Sequence, residues 1–513
     1  MDNKQAFIEA IKSGYTFKGE TIKIGAGMLG GEVIPEAEIF LPLSTMNRHG
    51  LVAGATGGGK TKSFQMIVEG LSDASVPCLL MDIKGDLSGI AAAGTVNDKI
   101  TLRYQKLKMD YKPCTFPVDL LTLSHQKGVR IRATVSEFGP ILITKILGLN
   151  DTQGGVVAMI FKYCDDHKMP LIDLKDFIKV LQYVGNEGKA ELQASYGNIS
   201  TTSTGTILRK VIELQQQGAD LFFGEKSFEV EDLMRINDDG RGMISILRVN
   251  DIQDKPKLFS TFMLQMLAEL YSVCPEVGDI DKPKLIIFID EAHLIFEEAS
   301  KALLDQINTV IKLIRSKGIG IYFCTQNPMD VPASVLGQLG LKIQHSLRAF
   351  TANDRQVIKQ TAQNYPETTF YKTEDIITQL GIGEALVTLL NEKGIPTPLA
   401  HVMMCTPRSR MDVLTESEIN NIVAQSKLTA KYNQVVDSQS AYEMLTAKLQ
   451  EAAANPPAVA TKSAKPEEST LEKVANNSVV KSIVRTAGNT IVRSLLGSLG
   501  LGGRTRKSAK SWF

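Results

Sequence analysis

The chain has 513 residues, 43% of them hydrophobic and 22% charged, with a formal net charge of +1. Such a composition excludes a disordered chain and a uniformly basic nucleic-acid coat, and it supplies enough apolar material for a large core and two or three domains. The six cysteines are scattered, without a C-x-x-C pair or a histidine at metal-ligand spacing. The N-terminus lacks the basic and apolar regions of a secretory signal, and no apolar run approaches the roughly 20 residues of a membrane span. A soluble, cytoplasmic protein with no transmembrane segment is expected.

Residues 1–46 carry short β-like runs (21–24, 32–34 and 39–41) broken by glycine and proline, which predict a small N-terminal β flank. From Gly50 the pattern becomes short apolar strands alternating with longer helical periods, the signature of an α/β domain with a parallel sheet. Strands are expected at 51–53, 77–81, 243–249, 284–289, 320–325 and 341–347, and helices at 60–71, 257–271, 300–316 and 353–362. The core is thus assigned to 47–90 and 240–415. Residues 91–239 between its halves read as a mostly helical insertion, for instance 206–217 with Leu208, Val211, Ile212 and Leu214 on one face. Segments 384–390 and 399–404 flank Asn391-Glu392-Lys393-Gly394 and predict a β-hairpin. Residues 416–513 read as a helix, a linker and a basic tail.

The string Gly54-Ala55-Thr56-Gly57-Gly58-Gly59-Lys60-Thr61 fits G-x-x-x-x-G-K-[ST], follows the apolar run 51–53 and opens a helix. Glycines there let backbone N–H groups wrap a β-phosphate at a helix N-terminus. Lys60 reaches the β- and γ-phosphates, and the Thr61 hydroxyl takes a Mg2+ position, so ATP and Mg2+ are the expected ligands. The run 285–289 ends in Asp290-Glu291. Asp290 is placed to hold the Mg2+ shell, and Glu291, one residue on across the pleat, to act as general base on the attacking water. His293 follows and is read as structural.

The strand 320–325 ends in Gln326, whose amide can both donate to a γ-phosphate and orient water. Arg315 ends the helix after the two acids; it serves either that helix terminus or, as an arginine finger, a neighbouring subunit's γ-phosphate. Arg348 is the rival finger. The sequence leaves open whether Arg48, six residues before Gly54, also approaches phosphate from its own subunit. In Asp82-Ile83-Lys84-Gly85-Asp86, Asp86 is either a nucleotide-side acid or part of an Asx turn.

The order Asn47-Arg48-His49-Gly50-Leu51-Val52-Ala53, P-loop, D-x-K-G-D, long insertion, LIIFIDEAH, RSKG and CTQNP resembles the HerA-like branch of the HerA/FtsK superfamily, and within it an uncharacterised bacterial HerA-like ATPase family. The resemblance spans roughly residues 10–415. It implies a RecA-like P-loop NTPase core, a homo-hexamer with ATP sites at subunit interfaces, and a channel for double-stranded DNA, with the acid of D-x-K-G-D beside the nucleotide. The N-terminal flank is far shorter than the β-barrel of true HerA translocases. A ring acting on protein or a secretion-like complex, and a nucleotide-gated scaffold, are the alternatives. The tail 479–513 holds seven Lys or Arg and no acid, with apolar residues at roughly helical spacing, and suits DNA phosphate, an anionic membrane surface or a partner protein.

Overall fold

The computed structural model describes residues 3–252, 255–278, 280–296, 301–434 and 436–454. The basic tail 479–513 lies outside the described residues. Two compact units are present: one takes in the described residues of 1–131, 229–260 and 274–434, the other 132–228, 261–273 and the described residues after 435.

The first unit is built on one sheet. Its strands are β1 (Thr21–Leu29), β2 (Glu32–Pro42), β3 (Gly50–Ala53), β4 (Cys78–Asp82), β5 (Val118–Thr122), β6 (Val129–Arg130), β7 (Ile244–Arg248), β8 (Leu285–Ile289), β9 (Ile319–Thr325), β10 (Leu341–Gln344), β11 (Glu384–Leu389) and β12 (Ala400–Met404). Their order is β2-β1-β12-β11-β10-β3-β9-β8-β4-β7-β5-β6. From β10 to β6 every neighbouring pair is parallel; from β10 back to β2 every pair is antiparallel. The parallel strands are buried along their length, β3, β4 and β8 at every position, which is why they read as continuous apolar runs. The expected α/β class and RecA-like parallel sheet are therefore present.

Helix α1 (Asn3–Gly14) packs Phe7 and Ile11 into the core beside β1 and β2. The run 21–41 is thus the antiparallel edge of the same sheet, not a separate body, and the expected hairpin at 384–404 joins that edge as β11 and β12. Helix α2 (Lys60–Asp73) buries Phe64, Ile67, Val68 and Leu71, each contributing roughly 1.5–3 kcal/mol of burial. Helix α3 (Asp98–Leu107) is capped by Asn97, whose carboxamide oxygen accepts from the Ile100 amide.

The insertion is narrower than residues 91–239. Strands β5 and β6 fall inside that span and extend the sheet, with β5 pairing along β7. The acid in β5 disguises it: Asp119 is buried and pairs with Arg235 instead of marking a surface.

The second unit is helical: α4 (Val135–Ile146), α5 (Asp151–Asp166), α6 (Leu174–Gly185), α7 (Lys189–Tyr196), α8 (Thr201–Gln216), part of α9 (Pro256–Val273) and the helix Ala441–Ala454. Capping boxes at Thr134/Glu137, Asn150/Gln153 and Asp173/Asp176 set three of the starts. In α8 the buried stripe is Ile207, Val211 and Leu214, while Ile212, expected on that face, is exposed. Among the described residues no helix is long and apolar enough to cross a membrane.

Candidate functional site

In the first unit the P-loop, the acid pair, Gln326 and the D-x-K-G-D segment all lie at the C-terminal ends of parallel strands, where open α/β sheets bind ligands. Strand β3 leads into the loop 54–61, and α2 begins at Lys60. Gly54 (φ 145°) and Gly59 (φ 116°) occupy backbone that side chains rarely adopt, and a Cβ on Gly54 would lie 2.6 Å from Cβ of His345. His345 follows β10 and braces the loop from beneath. Its Nε2 lies 3.0 Å from the Ser63 hydroxyl and its Nδ1 2.8 Å from the Glu384 carbonyl, and burial pushes its pKa down to about 4. The Gly383 amide donates to the Gly58 carbonyl (3.1 Å). Arg103 holds that second loop through the carbonyls of Ile382 and Gly383.

Lys60 is buried, and its ammonium donates back to the Ala55 carbonyl at 3.2 Å. Burial pulls its pKa down, and the nearby charge of Lys84 adds to the effect. Thr61 is half-buried at the first turn of α2.

Strand β8 delivers Asp290 and Glu291 two strands away from β3, with β9 between them. Asp290 is 2% exposed, and its carboxylate has no hydrogen-bond partner beyond the weak thiol of Cys324. Burial raises its pKa, with Lys84 pulling the other way and Glu291 adding to the rise. Glu291 is also buried and sits at φ 48°, a left-handed backbone that is unusual for a side chain of this size. Its carboxylate forms an ion pair with Lys84 and lies 3.3 Å from Nδ1 of His293. His293 therefore faces the acid pair.

Strand β9 ends at Thr325, and Gln326 accepts a hydrogen bond from the Thr56 hydroxyl of the P-loop (3.2 Å). The next loop is pinned to the strand end. Asp330 accepts from the Thr325 hydroxyl (2.6 Å), and Asn327 caps the turn at Met329.

The D-x-K-G-D segment follows β4. Asp82 is buried and accepts from the amides of Gly85 (2.8 Å), Asp86 (3.1 Å) and Leu87 (3.2 Å), with burial raising its pKa to about 7. This is the Asx-type turn, made by Asp82. Asp86 keeps a buried carboxylate oxygen without a partner. Lys84, between them, is the residue that the sequence reading did not weigh. Its partner lies more than 200 positions away, and only its place in the quoted motif could have flagged it. Burial would lower its pKa, but the Glu291 hydrogen bond and the field of Asp290 outweigh that and hold it raised.

Three cations lie outside this cluster. Arg48 donates to the carbonyls of Asn391 (3.1 Å) and Glu392 (3.2 Å), so it anchors the β11–β12 turn and does not face phosphate. Arg315, in the turn Arg315–Lys317, and Arg348, after β10, are exposed, and their side chains form no hydrogen bond or ion pair with another described residue. Among the described residues no group of three or more His, Cys, Asp or Glu could hold a metal. A divalent ion at Thr61 and Asp290 needs oxygens from a ligand to complete its shell, which is how Mg2+ is bound at nucleotide sites.

Comparison with known proteins bears on the family and the fold. Over 154 residues the chain is 32% identical to a probable helicase, MJECL08, of Methanocaldococcus jannaschii, covering 28% of this chain and 28% of that protein. The chain therefore aligns with well under half the length of that curated relative. Among solved structures, the unbound bacterial conjugative coupling protein TrwBdeltaN70 superposes with a TM-score of 0.50 at 13% identity, covering 79% of this chain and 94% of that one. The plasmid coupling protein TrwB in complex with the non-hydrolysable ATP analogue ADPNP gives a TM-score of 0.50 at 13% identity, covering 78% and 98%. Residues 29–474 match the family described as helicase HerA-like, C-terminal, which is most of the chain. The chain belongs to this HerA-like family of P-loop ATPases.

Proposed function

We propose that the chain hydrolyses ATP with Mg2+ and, as a homo-hexameric ring, converts the cycle into movement along double-stranded DNA. The observation that carries the catalytic part is the acid pair after β8: a buried Asp290, whose carboxylate has no hydrogen-bond partner but the Cys324 thiol, next to a buried Glu291, with only β9 between their strand and the P-loop strand. The amides of 54–61 and the Lys60 ammonium bind the β- and γ-phosphates. Thr61 and Asp290 would hold Mg2+, which would neutralise charge on the phosphoryl oxygens. Glu291 takes the proton of the attacking water. Gln326 senses the γ-phosphate; its bond to Thr56 ties it to the P-loop, and the loop 327–331 that follows it in the chain receives the signal.

Arg315 and Arg348, both exposed and with no side-chain hydrogen bond or ion pair among the described residues, suit an arginine finger presented to the next subunit. Mixing Arg315→Ala with Glu291→Gln subunits tests this, since mixed rings contain some intact interfaces. Recovered hydrolysis supports Arg315; none in confirmed mixed oligomers, together with recovery in the same mix made with Arg348→Ala, moves the finger to Arg348.

Family membership and the helicase relative support DNA as the track. ATPase rate against duplex length is the test, because a translocating motor spends more cycles per encounter on a longer track. A rate indifferent to DNA of any length, in a preparation that hydrolyses ATP, rejects the DNA motor and favours a protein-directed ring or a nucleotide-gated scaffold.

A further inference from the structure

The Lys84–Glu291 ion pair has a consequence for the timing of hydrolysis, and the argument rests on the ATP-site reading above. A carboxylate engaged with an ammonium group is not free to accept a proton from water. In this structure Glu291 is so engaged, while its backbone is held at φ 48°. Residues kept in sparsely populated backbone conformations cluster at switch regions, where the surrounding structure over-determines them.

The loop bearing Lys84 is fixed by the three amide bonds to Asp82, yet the Lys84 side chain is 37% exposed on a flexible stem. Its charge is close enough to lower the pKa of Lys60, the phosphate-binding lysine of the P-loop. Lys60 is itself parked on the Ala55 carbonyl. Two ammonium groups therefore stand beside the phosphate site, Lys84 on the Glu291 carboxylate and Lys60 on the Ala55 carbonyl. A γ-phosphate with two negative charges is a stronger partner for Lys84 than one carboxylate.

We propose that Lys84 is a switch cation: it holds Glu291 while the site is empty and transfers to the γ-phosphate when ATP binds, releasing Glu291 to act as base. His293, 3.3 Å from the other carboxylate oxygen, keeps the released side chain oriented. Lys84 is thus a positioning residue for Glu291 and a γ-phosphate ligand in turn. The switch makes base activation conditional on the third phosphate, so ADP leaves Glu291 held.

A binding cycle separates this from simple electrostatics. Fixed charges act additively: Glu291→Gln would tighten Mg2+–ATPγS binding by the same factor with or without Lys84. If Lys84 has to leave Glu291 in order to bind, Glu291→Gln also removes the cost of that departure, but only when Lys84 is present. We expect the gain in the Lys84 background to exceed the gain in the Lys84→Met background by about tenfold, within the usual range of coupling between sites. Lys84→Arg should preserve the coupling, and Mg2+–ADP should show none. Melting temperatures without nucleotide confirm that each variant is folded. Equal gains in the two backgrounds would overturn the switch and leave the ATP site standing. Equal coupling with ADP and ATPγS would overturn the γ-phosphate as destination. Absence of nucleotide binding in the wild-type chain would remove the ATP-site reading and the switch with it.

Discussion

Two buried carboxylates in the first unit are treated in opposite ways. Glu69, on α2, is 1% exposed and accepts from the amides of Arg408 (2.7 Å) and Ser409 (3.0 Å) and from the Ser409 hydroxyl (2.5 Å). Asp290, 2% exposed at the end of β8, has only a thiol beside it. Burial raises the pKa of both. For Glu69 the opposing influences are hydrogen bonds from the segment it clamps; for Asp290 the first is the charge of Lys84. Buried acids with full complements of donors hold structure together. A buried acid left bare costs free energy that the fold has no reason to spend unless a ligand completes the site.

The largest effect expected on this comparison is at the bare end. Glu291→Gln should retain Mg2+–ATP while turnover falls roughly 10²-fold or more, as for loss of a positioned base. Lys60→Ala should weaken binding and turnover together. Steady-state hydrolysis alongside equilibrium nucleotide binding distinguishes the two, and wild-type turnover in Glu291→Gln would remove the base from Glu291.

Next in size is a stability contrast between the two acids. Glu69→Gln turns an acceptor toward three donors into a group that is half donor, so it should destabilise the nucleotide-free chain by about 1–3 kcal/mol. Asp290→Asn removes a buried charge with no donor but the weak Cys324 thiol to lose, and should leave that stability unchanged or raise it. Adding a Mg2+–ATP analogue should then stabilise Glu69→Gln but give Asp290→Asn much less, because stabilisation by a ligand follows its affinity. Chemical denaturation with and without the analogue measures both. A large loss in Asp290→Asn without ligand would mean that this acid is structural after all.

The same division explains what could be read in advance. The P-loop, the run ending in Asp290-Glu291 and the strand ending in Gln326 are local: strand, turn and chemistry lie within about ten residues, and periodicity reveals them. Strand β5 escaped because Asp119 breaks its apolar run, and the Arg235 that makes burial of that acid tolerable lies 116 positions away. Lys84 on Glu291, Arg103 on the loop at Gly383 and His345 under Gly54 are likewise long-range, fixed by sheet order. That order places β9 between β3 and β8, and a single sequence does not state it. Arg48 shows the converse: its nearness to the P-loop in sequence carried no information about where the guanidinium points.

His345 gives the smallest and most specific test, because it is a fully matched group directly beneath the bare site. With Nδ1–H donating to the Glu384 carbonyl, Nε2 accepts from the Ser63 hydroxyl, and a second proton would turn that acceptor into a donor. The charge of Lys60 also opposes it. The folded pKa of about 4 lies below the ordinary 6.5, so the unfolded chain binds the proton first as pH falls. Stability contributed by neutral His345 is then complete above pH 6.5 and is lost progressively toward pH 4, amounting to about 2 kcal/mol by pH 5. His345→Gln should start less stable at pH 7, since one amide cannot reproduce both bonds. The further loss it suffers between pH 7 and pH 5 should be smaller than that of the wild type by this same amount. The His49 imidazole, also held near 4 by burial, remains in the variant, so part of the acid sensitivity persists. Denaturation at the two pH values measures the difference. An identical loss in both proteins would show that the fold accommodates a charged His345, and the brace under the P-loop would then be looser than its hydrogen bonds imply.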